Sequence, residues 1–199
     1  MQKQALKIRL SFTGAIMIIA LFLTHSYLSI SALIAALLHE LGHIIAARIC
    51  KIELGELRLG IFGASLCSRP MLCSYKKEIA LCIAGPLVNL ILALVALPLC
   101  NDSSEFLNLF VSSSLFLGTL NLLPIYEFDG GRILFCLLSL RFSIITTTKI
   151  IRISSFALIF SLWCLSVYLL LRLSSSVSLF VFSISLFAKI FLSQQDNYC

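Results

Sequence analysis

At 199 residues, 60% of them hydrophobic and 12% charged, the chain is too apolar for a soluble domain, in which about half the residues are apolar. Its formal net charge of +6 does not point to nucleic acid, because the basic residues flank apolar runs instead of forming a patch. The eight cysteines include no C-x-x-C pair, which argues against a zinc-finger site or a disulfide framework and leaves them as small, largely apolar residues.

In chain order, six apolar runs approach or reach the roughly 20 residues that cross a bilayer as helix: 10–27, 29–49, 79–99, 105–123, 150–171 and 177–193. The first lacks the small-residue cleavage site of a signal peptide. Fourteen of the fifteen Lys and Arg residues fall on one side of this arrangement, Arg172 being the exception. Positive-inside bias makes that side cytoplasmic, with both termini on it. The expected fold is an all-α polytopic membrane protein, a single domain over residues 1–199 with about six transmembrane helices and a small β-strand element after the second.

That strand comes from "IELGELRLGIFGASLC" at 52–67, where Leu57, Leu59 and Ile61 alternate with Glu56, Arg58 and Gly60. A period of two signals a strand, and its edge over 56–62 could hold an extended peptide by strand addition. A second break, "NLLPIYEFDGGR" at 121–132, ends the fourth span at Pro124 and allows a tight bend at Gly130 and Gly131 before an apolar helix around 133–140.

The chemistry sits in "ALLHELGHIIAARIC" at 35–49. His39 and His43, four apart, share a helix face and can close on one metal ion. Glu40 lies about 100° around from His39, within reach of a water on that metal. This is H-E-x-x-H, two zinc ligands and a general base. With three histidines and six glutamates in the chain, chance supplies about 0.001 such matches. Interhelical hydrogen bonding would explain the imidazoles but not the carboxylate, because ionisable groups inside spans are costly and mark function.

A catalytic zinc takes three protein ligands and leaves a fourth position open. The remaining histidine, His25, falls near the outer end of the first span. Glu53, Glu56 and Glu78 belong to a basic surface segment, and Asp102 and Glu105 lie on the opposite side, leaving Glu127 and Asp129. Asp129 also suits the N-cap of the helix that follows.

"HELGH" (39–43), "AGPLVN" (84–89) and "NLLPIYEFDGGR" (121–132), in that order, resemble the site-2 protease family of intramembrane zinc metalloproteases. Within it the chain is most similar to the stage IV sporulation protein FB branch, without that branch's CBS domain. The resemblance implies one zinc ion per chain, with Asp129 as its third ligand beside His39 and His43. It also implies that Asn121 and Pro124 shape the substrate side and that Gly85, Pro86 and Asn89 pack near the catalytic helix. An amide at Asn121 could donate to the oxyanion of a tetrahedral intermediate, and Asn89 could support the site or bond across helices. Glu127 stands where the family commonly has proline, which adds a charge beside the site.

The expected activity is hydrolysis of peptide bonds in or near transmembrane segments of membrane-tethered proteins. The resemblance implies substrates such as a pro-sigma factor, an anti-sigma factor or a signal-peptide remnant, and regulatory membrane proteins as further partners. The alternatives are a divalent-metal transporter and an inactive homologue that binds membrane partners. A transporter would carry repeated halves with matched broken helices, and none is visible; the intact His39, Glu40, His43 and Asp129 weigh against inactivity.

Overall fold

The computed structural model describes residues 7–10, 26–52, 54–60, 63–68, 74–101, 103–173 and 184. They fall into two units, Met1–Leu122 and Leu123–Cys199.

In the first unit, β1 (Lys7–Leu10) precedes helix α1 (Tyr27–Ile49). Ser26 starts the helix, its hydroxyl accepting from the Ser29 amide at 3.2 Å, which satisfies one of the donors a helix N-terminus leaves bare. The other end closes through Lys51, whose φ of 53° is left-handed. The Lys51 amide donates to Arg48 and the Ile52 amide to Ala47, the paired bonds that stop a helix at a left-handed residue. Ile52 folds back onto Ala47 and Leu81 in a small buried cluster, the apolar contact that accompanies such an ending.

After α1 come β2 (Leu54–Gly60) and β3 (Gly63–Ser68), then helix α2 (Tyr75–Ala96) with a short 3-10 turn at Leu97–Leu99, and helix α3 (Glu105–Asn121). β2 pairs with β3 antiparallel, Leu57 opposite Leu66, and with β1 parallel, Ile8 opposite Leu57. The strand order is β1-β2-β3. The edge expected at 56–62 is therefore corrected over Glu56–Leu59, which pair on both sides, and among the described residues the outer strands are β1 and β3; residues 61 and 62 lie outside the described residues.

Small residues let the three helices approach closely, as in membrane bundles. A Cβ on Gly42 of α1 would stand 2.7 Å from the Ala84 carbonyl oxygen of α2. One on Gly118 of α3 would stand 3.3 Å from the Pro86 carbonyl oxygen. Ser31 of α1 and Ser113 of α3 share a hydrogen bond at 3.4 Å.

The second unit holds helix α4 (Asp129–Ser139) and helix α5 (Ile144–Leu173). Ser143 starts α5, its hydroxyl accepting from the Thr146 amide at 3.3 Å, so the helix begins six residues before the expected 150. The loop before α4 is pinned to α5: the Tyr126 amide donates to Ser155 at 2.8 Å, and the Ser154 hydroxyl donates to the Pro124 carbonyl at 3.2 Å. Gly131 lies inside α4, and a Cβ there would clash with the Ile125 carbonyl. Its role is close approach of loop to helix, in place of the bend expected from the sequence.

Three helices among the described residues are long and apolar enough to cross a membrane: Tyr27–Ile49, Tyr75–Leu99 and Ile144–Leu169. α3 has 17 residues, a length of about 26 Å at 1.5 Å per residue. The expected spans over 10–27 and 177–193 fall outside the described residues except at Leu10, Ser26, Tyr27 and Ile184.

Candidate metal centre

His39 and His43 lie one turn apart on α1 and both are buried, 4% and 6% exposed. Their Nε2 atoms stand 3.1 Å apart, with the rings nearly perpendicular. Two imidazole nitrogens turned toward one point are a donor set suited to zinc and other divalent transition metals.

Helix α2 sets the orientation of His43. Its Nδ1 lies 2.8 Å from the Leu81 carbonyl oxygen. A carbonyl only accepts, so the His43 proton sits on Nδ1 and the lone pair on Nε2, the tautomer of a metal-ligating histidine. The carbonyl belongs to a turn weakened by Pro86, which lies inside α2 and has no amide hydrogen to give the Cys82 carbonyl.

Gly85 makes the room. A Cβ there would stand 2.8 Å from Nε2 of His39 and closer still to Nε2 of His43. Only a hydrogen fits between α2 and the face where both lone pairs meet, so the residues present fit a metal ion held by this pair. On the opposite flank of the pair, Nδ2 of the fully buried Asn89 lies 3.4 Å from Nδ1 of His39. Glu40, half-buried, follows His39 directly on α1.

The other expected site residues divide between the units. Asn121 closes α3 in the first unit, half-buried, with its amide donating to the Leu117 carbonyl at 3.0 Å. In the second unit, Pro124 lies in the pinned loop, and Glu127, half-buried, lies in the turn before α4. Asp129, also half-buried, is the first residue of α4. The cap position falls on Phe128, so Asp129 is no N-cap; its carboxylate stands in the first turn, where the helix dipole favours negative charge. His25 lies outside the described residues.

Sequence reasoning missed the Leu81 carbonyl and the Ser154 and Ser155 hydroxyls. A backbone acceptor leaves no trace in side-chain identity. The serines resembled ordinary small residues of a membrane helix.

Residues 98–165 match the family model "Peptidase family M50". A zinc metalloprotease of Methanocaldococcus jannaschii is 30% identical over 165 residues, which are 75% of this chain and 45% of the relative. Stage IV sporulation protein FB of Bacillus subtilis is 32% identical over 136 residues, 64% of this chain and 46% of the relative. The chain thus spans a little under half the length of these curated relatives. The solved structure of the site-2 protease from Methanocaldococcus jannaschii shares the fold at a TM-score of 0.66 and 24% identity, covering 96% of this chain and 92% of that one. Over residues 98–165 the chain is thus similar to peptidase family M50, and its fold is that of the solved site-2 protease.

Proposed function

We propose that the protein is an intramembrane zinc metalloprotease that hydrolyses peptide bonds in or near transmembrane segments of membrane-tethered proteins. One observation carries the reading: two buried imidazoles on α1, flanking Glu40 in the chain, bring their Nε2 atoms within 3.1 Å of each other, against α2 at Gly85, where no side chain would fit. The relatives named as a zinc metalloprotease and a sporulation protein support it.

His39 and His43 hold the metal, and Asp129 is the third ligand. The resemblance of "NLLPIYEFDGGR" to the family motif supports that choice over Glu127. Zinc, when bound, lowers the pKa of water to about 7 and polarises the scissile carbonyl. Glu40 accepts the proton as the water attacks and passes it to the leaving amine. Asn121 and Pro124 support the substrate side, and Asn121 can donate to the developing oxyanion through the amide hydrogen it does not spend on Leu117.

A helical substrate hides its carbonyls in hydrogen bonds, so it must unwind before cleavage. An open sheet edge can hold the unwound stretch by strand addition, and β3 is the edge we assign to it. Six spans place the termini, the 50–78 segment and the 124–149 segment in the cytoplasm, in accord with the basic-residue bias. Lys51 lies twelve residues beyond His39, about 18 Å along a helix, so water reaches the site from that side. The product is released there, a tethered transcription factor or a signal-peptide remnant.

The test is co-expression with tagged membrane-tethered precursors, comparing the wild type with Glu40→Gln. Cleavage by the wild type alone supports a protease. Metal flux in proteoliposomes without peptide hydrolysis would replace it with a transporter.

A further inference from the structure

Leu81, Gly85 and Asn89 recur every four residues along α2 and therefore line one face of it. His39 and His43 lie four apart on α1. The two rows run in opposite senses. Leu81 meets His43 at 2.8 Å, Asn89 meets His39 at 3.4 Å, and Gly85 faces both Nε2 atoms between them. One face of α2 thus supplies each imidazole with a single partner at Nδ1.

We propose that Asn89 is the positioning residue of His39: its side-chain oxygen accepts the Nδ1 proton and holds the ring with Nε2 bare toward the metal. The inference rests on the zinc site proposed above. A neutral imidazole carries one proton, so a ring that gives Nε2 to a metal must carry that proton on Nδ1 and needs an acceptor there. For His43 the acceptor is the Leu81 carbonyl. At Nδ1 of His39 stands the side chain of Asn89, 0% exposed.

The amide has two settings, related by a half-turn that exchanges its oxygen and nitrogen. With Nδ2 toward the ring, Nδ1 of His39 must accept, which puts the His39 proton on Nε2, pointing at His43. A directed chain results: Asn89 donates to His39, His39 to His43, and His43 to Leu81. In that setting Oδ1 of Asn89 is buried with no hydrogen-bond partner among the described residues. With Oδ1 toward the ring, the chain at His39 reverses and both Nε2 lone pairs become available together. The flip would replace that buried acceptor at the far end of the amide with Nδ2.

The experiment measures zinc dissociation constants by chelator competition on detergent-purified protein, for the wild type, Asn89→Leu, Asn89→Asp and His43→Ala. Loss of a partner to a ligating histidine lowers metal affinity about 10–100-fold, and Asn89→Leu should weaken zinc by that factor. Asn89→Asp keeps an acceptor oxygen in place and removes the amide donor, so it should bind near wild type. Wild-type affinity in Asn89→Leu overturns the proposal, as does weak binding in Asn89→Asp. The Asp variant alone decides the matter if the Leu variant does not fold, because an amide that only donates would be missed there. His43→Ala separates the two levels: if it loses zinc while Asn89→Leu does not, only the role of Asn89 fails. If His43→Ala keeps its zinc, the metal site fails and this inference with it.

Discussion

The Nδ1 atom of His43 lies 2.8 Å from the carbonyl oxygen of Leu81, thirty-eight residues away on the neighbouring helix. That contact joins the helix carrying the H-E-x-x-H motif to the one carrying Gly85 and Pro86. The Leu81 carbonyl, one turn before Gly85 on α2, thereby fixes the ring of His43 from the neighbouring helix.

Gly85→Ala should lower zinc content sharply, because the added methyl would press on both Nε2 atoms. Gly118→Ala is the contrast. Its Cβ would meet Leu90 Cγ at 3.2 Å and the Pro86 carbonyl oxygen at 3.3 Å rather than either imidazole, so zinc should stay near one per chain. Elemental analysis of the purified variants checks both. Equal zinc in the two would remove Gly85 from the site.

Asp129→Ala should reduce zinc and proteolysis together, whereas Glu127→Ala should keep zinc and change mainly which substrates are cut. Zinc stoichiometry beside a substrate panel distinguishes them. Zinc loss on removing Glu127 instead would move the third ligand to that position.

Lys51 is the non-glycine residue with positive φ among those described, a conformation that costs an L-residue about 1–2 kcal/mol. Lys51→Gly should therefore raise the thermal stability of the detergent-solubilised protein by about 1 kcal/mol and leave proteolysis unchanged. A lower melting temperature would show that the lysine side chain matters more than the backbone.

The readable part of this protein was the part written in side chains at fixed spacing. His39 and His43 had to share a face once residues 29–49 were taken as helix, and they do. The start of α5 was misjudged because Thr146, Thr147, Thr148 and Lys149 look like a polar loop, whereas the Ser143 hydroxyl caps a helix that runs through them. The sheet showed its period but not its order: alternation marks a strand and says nothing of what pairs with it, and Lys7–Leu10 covers the edge assumed to be open. Leu81 was invisible for the same reason, since its contribution is a carbonyl.

The topology proposed from charge makes Cys199 cytoplasmic, so a membrane-impermeant thiol reagent should label it in opened membranes and not in intact cells. Cys100, half-buried at the start of the opposite loop, should label from outside if the reagent can reach it. The reverse pattern would put water access and product release on the outer face.

The central claim is that a zinc held by His39 and His43 works with Glu40 as the proton acceptor. The measurement closest to it is zinc content and peptide hydrolysis on the same preparation of Glu40→Gln. The substitution leaves both imidazoles in place and removes only the carboxylate's basicity. The account predicts about one zinc per chain and cleavage below about a hundredth of the wild-type rate, the scale of a lost general base. Cleavage at the wild-type rate with zinc still bound would contradict it.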